Sequence, residues 1–355
     1  MSDTRSNDAI DERIGRVLQG MKSLKPAFKE NVKDSIVSMD VWDWSQGVGL
    51  FAIYLFYKET GKRELLDELT AWFDRHLAQG LPGKNVNTVC PLLTMSFLYE
   101  ELCREDFLEI CKEWAAYVYA EMPRTPEGGI SHLTVTSENE GQLWDDTLYM
   151  TVLFLGRMGV LLDQQQYVQE SIHQFLVHLK YLTDVHTGLF YHGWTFLENH
   201  HFGGARWGRG NAWYTAGLID YLDMVPVPEG VRKFLLTSLR RQTEALLPLQ
   251  TEEGMWRTLL DDPDAYVESS ATAGFAYGIL KAVRKGYLPE TFRESGQKAL
   301  EAVSSRIDSA GFVHEVSYGT CVGDTWQYYR DIPRCPMPYG QAMALLMLVE
   351  GRKHL

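Results

Sequence analysis
The run Trp144-Asp145-Asp146-Thr147-Leu148-Tyr149-Met150 sets two carboxylates beside an indole, at the mouth of a strongly apolar segment from Met150 to Met158. Acids so placed have two readings. Aspartate is poor inside a helix but good at its cap and first turn, where its oxygens meet free backbone N–H groups and the positive end of the helix dipole. Adjacent residues on a helix point about 100° apart, so when one of the pair caps or faces outward, the other projects beyond the helix end. A carboxyl group aimed there into a cleft is a candidate for chemistry. Periodicity alone does not choose between Asp145 and Asp146.

The elements that must position this pair are helices. Residues 9–24 place Ile10, Ile14, Val17, Leu18 and Met21 at helical spacing with a charged remainder, the pattern of an outer, half-exposed helix. Residues 43–60 confine their charge to the ends and open on small and aromatic residues, the pattern of a helix buried on nearly every side. The alternation continues, amphipathic over 63–78, 105–121, 163–180, 231–247 and 290–306, and buried over 87–102, 146–159, 211–225, 269–283 and 339–350. Strand signals are limited to short pieces such as Gly188-Leu189-Phe190-Tyr191 and Gly311-Phe312-Val313-His314. Twelve alternating helices form either an open solenoid or a closed ring, and the first and last buried helices lack the polar outer face that a solenoid's ends require. The expected architecture is all-α, an (α/α)6 six-hairpin barrel, or toroid, in one catalytic domain over residues 1–355.

Composition bounds the function. At 355 residues with 45% hydrophobic content the chain buries a large core. A net charge of −13 argues against nucleic acid or an acidic membrane as partner, since both need clustered Lys and Arg. No run is long enough to span a membrane, and the polar start Met1-Ser2-Asp3-Thr4-Arg5 has no apolar stretch behind it, so the chain reads as cytoplasmic. The five cysteines show no CxxC or Cys/His spacing and read as thiols, mostly packed. Glu198-Asn199-His200-His201 invites a metal reading, but adjacent histidines diverge; neither a metal nor a cofactor is expected.

The segments feeding the buried helices are rich in functional side chains: Trp42, Asp43 and Trp44; Asn85 and Asn87; Trp144 to Asp146; Arg206, Trp207, Arg209, Asn211 and Trp213; Glu268; Tyr339. The segments leaving them are plainer. Helix starts that converge on one mouth with indoles, amides, arginines and acids describe an aromatic-walled polar pocket of the kind sugars occupy.

Several motifs then carry a family resemblance: Arg206-Trp207-Gly208-Arg209-Gly210-Asn211-Ala212-Trp213, Tyr191-His192-Gly193-Trp194, Trp144 to Met150, Tyr266-Val267-Glu268-Ser269-Ser270-Ala271, and Gly319-Thr320-Cys321-Val322-Gly323-Asp324. In this order and over nearly the whole chain they resemble the unsaturated rhamnogalacturonyl hydrolases, glycoside hydrolase family 105. The resemblance implies an α/α six-hairpin barrel. It also implies an enzyme that hydrates the C4=C5 bond of an unsaturated uronic acid at the non-reducing end of a lyase-generated oligosaccharide. The substrate partner would be a disaccharide-sized sugar.

That chemistry gives the residues roles. Protonating the vinyl ether at C4 leaves an oxocarbenium-like centre at C5 and the ring oxygen for water to attack, and one carboxyl group can give the proton and then activate the water, unlike the usual two-carboxyl glycosidase. The resemblance assigns the donor to Asp146, with Asp145 as a capping or orienting neighbour. Apolar surroundings would keep that donor protonated. The resemblance puts His192, and less directly His132, beside the sugar; Trp207, Arg209 and Trp213 in the binding wall; and Trp44 at an aromatic wall position. Where family members often carry another acid, this chain has Asn85 and Asn87, so no second catalytic acid is assigned; Asn87 reads as a substrate ligand or as a helix cap. The competing readings are an unsaturated glucuronyl hydrolase acting on glycosaminoglycan fragments, a sugar epimerase using His132 and His192, and a carbohydrate-binding protein without turnover.

Overall fold
The computed structural model describes residues 2–26, 35–134 and 139–354. Its main helices are α1 (Ser2–Lys22), α2 (Trp44–Thr60), α3 (Arg63–Gln79), α4 (Cys90–Leu102), α5 (Glu105–Ala120), α6 (Leu153–Leu161), α7 (Gln165–Leu182), α8 (Gly208–Met224), α9 (Glu229–Leu246), α10 (Ser269–Arg284), α11 (Arg293–Ser304), α12 (Trp326–Arg330) and α13 (Pro338–Gly351). A π-helical turn, Leu148–Val152, leads into α6. The inner helices pack in the order α2, α4, α6, α8, α10, α13 and back to α2, which closes the ring. Outer helices sit behind them, α3 on α2, α5 on α4, α7 on α6 and α11 on α10, while α1 covers α13. The expected toroid is the observed fold.

Patterning explains the two layers. Every residue of α13 is buried, as are nearly all of α8 and α10, whereas α3, α9 and α11 bury one stripe. Asp43 caps α2 by accepting the Trp44 N–H, and Gly61, at φ 67°, ends it. Glu268 caps α10 through the N–H groups of Ser270 and Ala271. The inner helices have no acidic residue in their first turns, while α3, α5, α9 and α11 do. Trp44, Asn87 and Asp146, at or just before inner-helix starts, line one mouth of the ring. Lys58, Asp223, Lys281, Arg284 and Glu350, at the ends of those helices, line the other.

The strands differ from expectation. The two-stranded sheet joins β1 (Gln142–Trp144) to β2 (Gly193–Thr195), while Phe190 and Val313 make only isolated bridges to Thr183 and Ile307. Three-residue strands 50 residues apart show no alternation to read. No disulfide joins the cysteines. Among the described residues, no helix is long and apolar enough to cross a membrane.

Candidate active site
At the mouth where the inner helices begin, a cavity of about 250 Å³ is lined by Trp44, Asn87, His132, Thr134, Asn139, Trp144, Asp146 and Met150, and by the loop Tyr318 to Cys321. A larger groove of about 360 Å³ runs outside the ring between α7 and α9, but its lining contains neither a carboxylate nor a histidine. The acid pair belongs to the first.

Strand pairing assembles the centre. The register Trp144↔Gly193 brings the acids beside His192, and the Asp145 N–H donates to the His192 carbonyl at 3.1 Å. Asp146 faces the cavity, with Nε2 of His192 3.3 Å from its Oδ2. Asp145 is fully buried and turned toward α8, where a Cβ at position 210 would lie 2.0 Å from its Oδ2. Only glycine fits there. One ligand atom each from Asp145, Asp146 and His192 lies within 4.8 Å of the others, and both Asp145 oxygens lack a hydrogen-bond partner.

This geometry splits the two carboxyls. Burial, reinforced by the Asp146 charge, holds Asp145 well above the usual carboxylate range. Burial pushes Asp146 up as well, but the His192 contact and the two nearby imidazoles outweigh it, and Asp146 is held below its ordinary value. Of the two, Asp145 is the one whose surroundings favour a proton. Apolar surroundings were expected to favour the acid form of Asp146; burial acts in that direction, and the His192 contact acts against it. Burial also lowers His192, and lowers His132 to about 4, so both imidazoles hold a proton less readily than an exposed histidine.

The remaining expected site residues fall into two groups. Trp44, Asn87 and His132 line the cavity. His132 stacks on Trp144 with centroids 4.2 Å apart, and its Nδ1 meets Thr147 Oγ1 at 2.9 Å. Asn87 does not cap α4: Asn85 accepts the N–H groups of Asn87 and Thr88 in a turn ahead of the helix. Trp207, Arg209 and Trp213 stand behind the lining. Trp207 packs on His192 at 4.1 Å, and Trp213 lies against Tyr149 and Trp44. Arg209 lies between the rings of Trp207 and Tyr339 and donates to the Ser317 and Tyr318 carbonyls and to the Ser317 and Thr320 hydroxyls. Glu268 accepts the Ser317 N–H, and Tyr339 donates to the Ser317 carbonyl at 2.5 Å. Together these residues clamp the loop that forms one cavity wall. Sequence reasoning missed Thr134, Asn139 and Tyr329, whose hydroxyl lies 2.8 Å from His192 Nδ1.

Comparison with known proteins places the chain in a family and a fold. Residues 21–355 match the family model described as Glycosyl Hydrolase Family 88. The chain is 33% identical, over 88% of its length and 90% of the relative's, to the unsaturated rhamnogalacturonyl hydrolase YesR of Bacillus subtilis. It superposes with a TM-score of 0.95 on a possible GH105 member from Salmonella enterica, 41% identical and covering 98% of this chain and 94% of that one. The unsaturated glucuronyl hydrolase of Bacillus sp. GL1, 20% identical, shares the fold with a TM-score of 0.72 over 96% and 95% of the two chains. With an acid pair at the mouth of a closed helical ring and a family match over nearly its whole length, the chain belongs to glycosyl hydrolase family 88 and its GH105 relatives.

Proposed function
We propose that the chain hydrates the C4=C5 bond of an unsaturated uronic acid at the non-reducing end of a lyase-generated oligosaccharide, the pectin-derived unsaturated galacturonyl-rhamnose unit first among them. The observation that carries this reading is the buried carboxyl pair with one member facing the cavity beside an imidazole. Asp145 stores the proton and Asp146 delivers it. When the sugar displaces water over Asp146, its own negative charge favours the acid form of that residue. The Asp146 O–H bond breaks as the C4–H bond forms, and C5 becomes electron-deficient. Water attacks C5 and returns a proton to the Asp146 carboxylate. The C5 hemiketal opens to a ketone, the ring oxygen leaves C5, and the hemiacetal left at C1 expels the neighbouring sugar.

Trp44 and Trp144 supply stacking surface, while Asn87, Asn139 and His132 supply hydrogen bonds to hydroxyls. Among the described residues the cavity lining holds no Lys or Arg, so Arg209 acts through the loop it clamps. Residues 1–355 work as one catalytic domain on a small oligosaccharide in the cytoplasm. The test is the loss of conjugated-alkene absorbance on unsaturated rhamnogalacturonan and chondroitin disaccharides. Turnover of the first supports the reading, turnover of the second alone moves the enzyme to glycosaminoglycan fragments, and turnover of neither removes it.

A further inference from the structure
Tyr329 sits on α12, a five-residue helix outside the ring, yet it is fully buried. Its hydroxyl oxygen accepts the Gly323 N–H at 3.0 Å and lies 2.8 Å from Nδ1 of His192, 137 residues away in sequence. A tyrosine hydroxyl has one proton to give. Since Gly323 can only donate, the one described acceptor for that proton is His192 Nδ1. A buried O–H left without an acceptor is costly enough to decide the orientation.

We propose that Tyr329 is a positioning residue for the reaction: it donates to Nδ1 of His192 and so fixes the imidazole as the Nε2–H tautomer facing Asp146. The consequence lies one bond further on. With its proton on Nε2, the ring turns a donor toward Oδ2 of Asp146, 3.3 Å away and short of hydrogen-bond geometry, which disfavours a proton on that oxygen. That oxygen is buried, whereas Asp146 as a residue lines the cavity. When Asp146 takes up the proton, Oδ1 is the favoured carrier, where it is available to the sugar. The opposite tautomer would present a lone pair at Nε2, and the imidazole would hold the proton that C4 needs. Besides Asp146, four charged or titratable groups act on His192 or its partners: Asp145 beside Asp146, His132 across Trp144, Arg209 on α8, and the Tyr329 hydroxyl itself. Of these only Tyr329 contacts Nδ1.

The inference rests on Asp146 as donor, but its primary readout does not. In the full chain labelled with ¹⁵N-histidine, the His192 signal, assigned by its loss in His192→Gln, is expected to show an unprotonated Nδ1 and a protonated Nε2 throughout the active pH range. A proton on Nδ1 in the wild type overturns the proposal without touching the choice of Asp146. Tyr329→Phe is expected to swap the tautomer or let the ring protonate, and to lower kcat about tenfold or more with little change in KM. An unchanged tautomer and pH profile in that variant overturn the proposal; should the variant not fold, the wild-type spectrum still decides.

Discussion
At the scale of single residues, two adjacent carboxyls differ because their neighbours differ. Asp146→Asn should fold and bind the unsaturated disaccharide but lose alkene hydration by about 100-fold or more, because the amide has no proton to give. Asp145→Asn should lose far less at its optimum; the reverse order would exchange the two roles. The same variant also tests the shared proton. The acid form of the pair is the active one, so the alkaline limb of the pH–rate profile follows loss of its single proton. With Asp145 gone, that proton rests only on Asp146, which His192 holds below its usual value, and the limb should move to lower pH. An alkaline limb that stays in place would mean that Asp145 stores nothing. The sequence marked the pair, but not which member turns inward, because that depends on Gly210 and on a strand partner 50 residues away.

At the scale of elements, the periodicity of hydrophobic residues located all six inner and six outer helices, since burial on one face or on all faces leaves a direct trace in the sequence. What left no trace was short or non-local. The helix carrying Tyr329 is five residues of polar and aromatic character, the strands are three residues each, and the π-helical turn after Asp146 has no pattern distinct from an α-helix. Arg209 was expected in the binding wall; its place behind the lining was not legible, because its partners lie more than 100 residues downstream. Arg209→Lys keeps the charge but cannot span two carbonyls and two hydroxyls at once. It should weaken disaccharide binding about tenfold by loosening the 317–320 wall, at the scale of one charged hydrogen bond. Calorimetry on an Asp146→Asn background isolates binding from turnover, and equal affinities would show that the clamp does not shape the site.

At the scale of the whole molecule, the ring closes where α13 meets α2, α1 packs over α13 there, and Gln341 ties α1 to that seam. Its side chain accepts the Val313 N–H at 2.6 Å and donates to the carbonyls of Gly311 and Val17 at 2.7 and 3.1 Å. Gln341→Leu keeps the volume but strands three buried polar groups, a cost of about 2–4 kcal/mol. Urea unfolding should register the loss while the absorbance assay at low temperature changes little; a stable variant would mean that packing alone closes the ring.

The helix starts have a further result. Each contributes about half a positive charge to the mouth, offset locally by the caps Asp43 and Glu268 and by the Asp145–Asp146 pair, while Lys58, Lys281 and Arg284 gather at the far end of the ring with the acids they pair with. Six roughly parallel dipoles give a molecule of net charge −13 a definite electrical orientation. An anionic sugar drifting toward it exerts a torque as well as meeting a repulsion. The mouth is the end at which the helix dipoles favour an anion, and it is the end that leads to Asp146.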